Sequence, residues 1–427
     1  MPAREVQRSD QVSDVSQQAA SSDLLVNNLS YHQPEALSLA VQRAYSRQFF
    51  QRRSYNDGET AIIDFNSGTD FVDPGNSYLT FTVLLAASAT TATAGWGTSS
   101  AMNVIKQVTI KSRSGTELDR VERANLWSSF NTAYTNTSAY LTRQGPLEGW
   151  NQASTIIPTA GGGTAVRYCL PLKRLAPFFN PVKPGQKIPP QLMSGLHMEI
   201  IFEQKEIALV QGAGSGTING YTIGDLAVMT DNITMTDDVQ KTINAQSAND
   251  GLEYAYPRIF TAQDSVPSTA VNTQVRRAVS QANIAYVISL NTANNTLAAD
   301  SFATINWDAT TWQFRLGALY YPIQAIQDPN VDGVESYVQA LQMFDKLKHP
   351  EVESSVQYSD FKTGGRAIMA VSLEKDTALN FSGLPINNSR VLETLATVGT
   401  LATRNVVTFL EYSAVSRAYV DNTAVSI

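Results

Sequence analysis

Cys169 is the one cysteine of this 427-residue chain. A thiolate beside an imidazole is a nucleophile, so Cys169 with a distant histidine is a candidate acyl-transfer pair. It lies in the apolar run Val166–Leu170, where a lone cysteine serves as a small core residue, and no protease signature surrounds it. His197 stands between Leu196 and Met198 on an expected strand, with Glu199 two residues on and so on the same face. Such a pair can exchange protons. No third group is evident, so the spacing reads as a hydrogen-bonded pair on a strand face. Asp231, Asp237 and Asp238 gather near a strand end and could hold a hard cation, but their spacing matches no calcium loop and reads as a solvated turn. Gly212-Ala213-Gly214-Ser215-Gly216 resembles a phosphate loop. It lacks the following Lys-Ser/Thr and the third glycine of a dinucleotide fingerprint, so it reads as a surface loop, as does Gly161-Gly162-Gly163.

His32 and His349 are far from His197, and none of the three sits in a ligand spacing such as HExxH. A single cysteine excludes an intramolecular disulfide framework and a multi-cysteine zinc site. Asn-x-Ser/Thr occurs at Asn28, Asn136, Asn232, Asn294, Asn380 and Asn387, as chance allows in a chain rich in Asn, Ser and Thr. No constellation amounts to a catalytic, cofactor or metal site. The expectation is a protein that is not an enzyme and needs no cofactor.

The elements that would carry these residues are mostly strands. Charged residues make up only 16% of the chain, too few for long solvated helices with Lys and Glu on their outer faces. The net charge of −7 disfavours loose adhesion to nucleic acid or to anionic membrane. The longest apolar stretch, Tyr78–Ala89, is broken by threonines and spans no bilayer. The N-terminal MPAREVQRSDQVSDVSQQ has no apolar core of a signal peptide, which points to synthesis in a reducing, intracellular setting.

Residues 1 to 30 are polar and poor in aromatics and read as a flexible arm. Six basic and six acidic groups balance over the first 58 residues, so this is not a basic arm of the kind that packs a genome by charge. Leu37, Val41, Ala44 and Gln48 at helical spacing predict a helix over Pro34–Phe50. Strands are expected at Ala61–Phe65, at Ser77–Leu85 after the turn cluster Asp73-Pro74-Gly75-Asn76, and at Met102–Ser112, Thr116–Val121, Val166–Leu170, His197–Glu203 and Asp225–Met235. Leu126, Trp127, Phe130 and Tyr134 predict a helix over Ala124–Tyr134. The second half predicts strands at Leu252–Gln263, Val271–Leu290, Ala367–Leu373, Asn405–Tyr412 and Arg417–Ile427. It also predicts a pair around Trp307, Trp312 and Phe314 ending at a Tyr321-Pro322 turn, and a helix over Asp332–Leu347. Many short strands with turn signals between them suggest jelly rolls or sandwiches. The expected division is an N-terminal arm with a short helix over 1–58, a first β-domain over 59–249 and a second over 250–427. No residue-level repeat between the halves is visible.

The central stretch is more specific. Tyr168-Cys169-Leu170-Pro171-Leu172-Lys173-Arg174-Leu175-Ala176-Pro177-Phe178-Phe179 precedes a polar turn, and Ile188-Pro189-Pro190-Gln191-Leu192-Met193-Ser194-Gly195-Leu196-His197-Met198-Glu199-Ile200 follows it. This resembles the first-domain signature of double jelly-roll major capsid proteins of double-stranded DNA viruses, virophages and polinton-like elements. Asn103–Asn125 and Asp225–Asp238 are similar to capsid strands of the same group, so the likeness covers about a third of the chain.

The resemblance implies two tandem eight-stranded jelly rolls, trimerisation into pseudo-hexagonal capsomers, and a place in an icosahedral virion assembled inside a host cell. It implies contacts with copies of itself and with penton or minor capsid proteins, and none specific to a nucleic-acid sequence. At 427 residues the chain is short for the family, so tower-like insertions should be absent, and a single decorated jelly roll stays open. The alternative reading is a secreted or surface β-sandwich that binds carbohydrate or acts as an adhesin. An enzyme of the bicupin type would need clustered histidines, which the chain lacks.

Overall fold

The structure is a computed structural model. It describes residues 40–88, 92–150, 165–212, 216–267, 269–305, 309–327, 333–347, 353–363, 365–375, 382–387, 390–398, 404–419 and 424–426. The arm expected over residues 1 to 30 lies outside the described residues, as do His32, His349, Trp307 and the triple glycine at 161–163.

The first eight main strands are β1 (Ala40–Phe49), β2 (Thr60–Asp64), β3 (Phe71–Ala87), β4 (Ile105–Lys111), β5 (Glu117–Glu122), β6 (Val166–Pro171), β7 (His197–Phe202) and β8 (Ile218–Met235). The next eight are β9 (Leu252–Val266), β10 (Ala270–Val275), β11 (Val279–Asn291), β12 (Ala309–Leu316), β13 (Leu319–Gln327), β14 (Met369–Ser372), β15 (Leu392–Val398) and β16 (Arg404–Ala418). In the first half one sheet has the order β1-β8-β3-β6 and the other β2-β7-β4-β5. In the second half the orders are β9-β16-β11-β14 and β10-β15-β12-β13. Each label of the second half is its counterpart in the first plus eight. This is the strand order of a jelly roll, in which two Greek keys wrap into facing sheets. The chain is therefore two jelly rolls in tandem, not one with decorations.

Period-two patterning places the core. Leu79, Phe81, Val83 and Leu85 of β3 are all buried, as are Met198, Ile200 and Phe202 of β7. Tyr55, on a short strand paired with β8, meets Phe202 of the opposite sheet at 5.7 Å between ring centroids. In the second roll Tyr286 and Phe409 face each other across β11 and β16 and stack at 5.2 Å. Of the helices, α1 (Ala124–Thr135) follows β5, α2 (Asp237–Asn249) joins the two rolls, and α3 (Val334–Met343) packs on β14.

Several expectations are corrected. The helix expected to reach Phe50 is the strand β1 over its described part. The same residues also alternate, and pairing beside β8 with Arg43 on the buried Asp231 overrides the helical spacing. Asp73-Pro74-Gly75-Asn76 does not precede a strand but lies inside β3. Tyr78 faces Met229 and Asp73 faces Asp231, so the intervening residues bulge out, with Gly75 N–H and Asn76 Nδ2 both donating to the Asp73 carboxylate. The single run Val271–Leu290 is two strands in different sheets, β10 and β11. The hairpin after β12 turns at Gly317, whose φ is 62°, and Pro322 sits inside the edge strand β13, where a missing N–H is tolerated. Helix α2 and strand β15 were not anticipated.

Phe409 has no exposed surface and anchors the second roll. Phe409→Ala is expected to cost about 3–5 kcal/mol, read as a lower urea midpoint with an unchanged slope.

Candidate functional site

The residues singled out for chemistry do not converge. In β6 the side chains of Tyr168 and Leu170 enter the core, so alternation turns Cys169 to the other face, where it is only half-buried. The core placement expected for Cys169 is corrected accordingly: its Sγ faces Thr80 Oγ1 at 3.9 Å on the outer side of the sheet. His197 sits on the opposite sheet. The expected pair with Glu199 is present, Nε2 lying 3.1 Å from Glu199 Oε1. A third group is present too: Asp64 of β2, directly across in register, approaches Nδ1 at 2.6 Å. Lys111 of β4 donates to Glu199 at 2.9 Å and holds its carboxyl below the usual range, helped by His197. Sequence reading missed Asp64 and Lys111 because strand register is not visible in a chain. The cluster holds no serine or cysteine and lies on a sheet face.

The aspartate cluster separates. Asp231 is fully buried and takes a forked pair of hydrogen bonds from Arg43. Asp237 and Asp238 open the first turn of α2, where carboxylates favour the positive end of the helix dipole. Gly212 donates its N–H to the Thr93 carbonyl at 2.9 Å, and residues 213–215 of that loop lie outside the described residues. Among the described residues no group of three His, Cys, Asp or Glu side chains is arranged to hold a metal.

The densest polar chemistry lies instead in the seam between the rolls, where β5, an edge strand, is covered by β9. Tyr256 Oη donates to the Leu118 carbonyl at 2.6 Å and Thr261 Oγ1 to the Glu122 carbonyl at 2.9 Å. Tyr254 Oη donates to the Phe178 carbonyl at 2.8 Å. The Phe178 ring sits 5.4 Å from Tyr254 and 5.0 Å from Tyr256, a buried aromatic cluster. Arg258 reaches Glu117 at 3.5 Å and Asp119 at 3.9 Å. Asp119 has no exposed surface; its Oδ2 accepts from the Phe178 N–H at 3.0 Å. Burial pushes its carboxyl up to about 7 against the opposing pull of Arg258.

A second patch ties α1 to the other roll. Tyr134 Oη donates to the Arg366 carbonyl at 2.7 Å, and Tyr134 stacks on Phe344 at 4.9 Å. Arg366 is buried over Phe130 at 5.2 Å, donates to Ser129 Oγ at 3.0 Å and bonds the Thr98 carbonyl. Between the patches a cavity of about 480 Å³ is lined by Trp127, Asn131, Lys173, Tyr286, Phe344 and Glu411 among others. Burial, then the neighbouring Glu374, pushes Glu411 up to about 7.

Two outcomes are expected. A carboxyl raised in the folded state keeps its proton there while the unfolded chain has lost it, so Asp119 and Glu411 each remove stability as pH rises from the ordinary carboxylate range to about 7. Thermal melts of Asp119→Asn and Glu411→Gln should therefore fall less than wild type between those limits; an unchanged pH slope would contradict the assignment. His197→Ala should change stability by no more than about 1 kcal/mol in chemical denaturation, because its partners are surface carboxylates.

No family model matches the chain, and no curated protein matches it in sequence. Solved structures do match. The PBCV-1 virus capsid, in a quasi-atomic model, is 12% identical with a TM-score of 0.64 over 93% of this chain and 98% of that one. The Faustovirus major capsid protein is 10% identical with a TM-score of 0.62 over 98% and 99%. The mavirus major capsid protein is 10% identical with a TM-score of 0.53 over 95% and 94%. With two rolls of identical strand order laid over nearly the whole length of these proteins, the chain has the double jelly-roll fold of viral major capsid proteins.

Proposed function

We propose that this chain is a structural virion protein, the major capsid protein of an icosahedral double-stranded DNA virus. One observation carries the reading: two jelly rolls of identical topology, fastened side by side by a buried seam, match the Faustovirus protein over nearly the full length of both chains. The neighbours are capsid proteins rather than carbohydrate binders or adhesins, which favours this reading over the binding module.

The functional unit in this reading is a homotrimer. Two similar rolls per chain and three chains give six rolls around a ring, and such rings tile a shell. The rolls divide near residue 249, where α2 ends, and the polar segment ahead of β1 serves assembly rather than folding. Penton and minor capsid proteins are the further partners. The chain acts in the virion after synthesis in the host cell and performs no catalysis of its own. Among the described residues no helix is long and apolar enough to cross a membrane.

Native mass spectrometry of the expressed chain at micromolar concentration tests this. A trimer of the 46.5 kDa chain is expected. A monomer or dimer at that concentration would count against the capsid reading.

A further inference from the structure

The cavity beside the seam has an acidic group in its wall that the chain does not neutralise. Glu411 of β16 pairs across the ladder with Ile284 of β11, and Phe409 with Tyr286, so these four side chains share one face of the sheet. Trp127 of α1 and, just past the end of α3, Phe344 and Asp345 line the same cavity. Its walls thus come from both rolls, and a volume of about 480 Å³ suits one small molecule.

Two polar groups in it lack partners. Tyr286 is 2% exposed, and its hydroxyl has no hydrogen-bond partner among the described residues. It lies diagonally across the ladder from Glu411, a spacing that long side chains bridge. Buried hydroxyls are ordinarily bonded, and an unmet one in a cavity wall signals a ligand atom. The Glu411 carboxyl accepts no hydrogen bond and joins no ion pair among the described residues. The charge that acts on it is a like one, Glu374, which follows β14 and is itself pushed up by burial and by Asp345. The cations nearby are engaged elsewhere. Arg174 reaches Glu148 at 3.5 Å, Lys173 responds to Arg174 and Glu148 rather than to Glu411, and Lys346 faces Asp345.

We propose that this cavity binds a small organic ammonium ion, whose N–H groups donate to the Glu411 carboxylate and the Tyr286 hydroxyl and whose carbon chain lies against Phe344 and Trp127. The ammonium supplies the counter-charge that the chain withholds, and the aromatic faces favour a cation over a neutral guest. Water can fill a polar cavity, but it does not neutralise a carboxylate against an apolar wall. Because Trp127 belongs to the first roll and Glu411, Tyr286 and Phe344 to the second, the ligand bridges the two. The site lies within one chain, so the proposal goes beyond the capsid reading and does not depend on a trimer.

Isothermal titration calorimetry of the full chain with n-butylammonium decides it. Saturable binding at one site per chain is expected, with n-butanol, of the same length and uncharged, failing to compete. At about pH 6 each binding event should release about one proton, read from the heat in buffers of different ionisation enthalpy, and at about pH 8.5 none, because the cation displaces the Glu411 proton. Glu411→Gln should weaken binding about tenfold or more and abolish the proton release. Tyr286→Phe should weaken it about two- to tenfold, yet leave the thermal midpoint of the ligand-free chain unchanged or higher, since it removes an unmet hydroxyl; a purely structural tyrosine would lower that midpoint. An absence of saturable binding, equal binding of n-butanol, or affinity unaltered in Glu411→Gln would overturn the proposal. Inorganic phosphate that binds in place of the cation and is lost in Lys173→Ala would also overturn it, and would assign the cavity to anions.

Discussion

An edge strand must be covered, and in this chain the covering of β5 by β9 fixes how the two jelly rolls are joined. The strand offers carbonyls at Leu118 and Glu122 and the buried carboxyl of Asp119, none of which another strand of its own sheet can satisfy. Tyr256 and Thr261 bring donors to the carbonyls, the Phe178 N–H donates to Asp119 while Arg258 faces it as an ion pair at 3.9 Å, and the Phe178, Tyr254 and Tyr256 rings exclude water from the same place. An unmet hydrogen-bonding group in that setting would cost about 1–3 kcal/mol. The join is therefore specific in position as well as apolar, and it holds the rolls in a defined relation.

The groups that could suggest an enzyme are bonded to one another. Asp64, His197, Glu199 and Lys111 line up because three neighbouring strands place them in register, and they satisfy one another. Arg43 and Asp231 hold β1 to the sheet. The buried carboxyl of Asp119 lies in the seam and the partly exposed Glu411 lines the cavity beside it, and both tie stability to pH. Polar groups inside a β-protein of low charge density are there to pin edges and register.

How much of this was legible in the sequence depended on whether the signal was local. The alternation in β3 and the three-and-four spacing in α1 reported their own structure, because each element buries one face along its length. Strand β1 did not, since its apolar residues fit helical as well as strand spacing and its fate was set by the distant Asp231. Cys169 was placed in the right strand but on the wrong face, a one-residue matter of phase. Asp64 and Lys111 were invisible beside His197 because register across strands is a tertiary property.

The central claim is that this double jelly roll is the repeating unit of a shell. Cryo-electron microscopy of particles assembled from the expressed chain tests it most directly. The account requires capsomers of pseudo-hexagonal outline in which three chains contribute six upright jelly rolls. Particles built from isolated rolls, or a ring in which the two rolls of one chain are separated rather than joined along the β5–β9 seam, would contradict it.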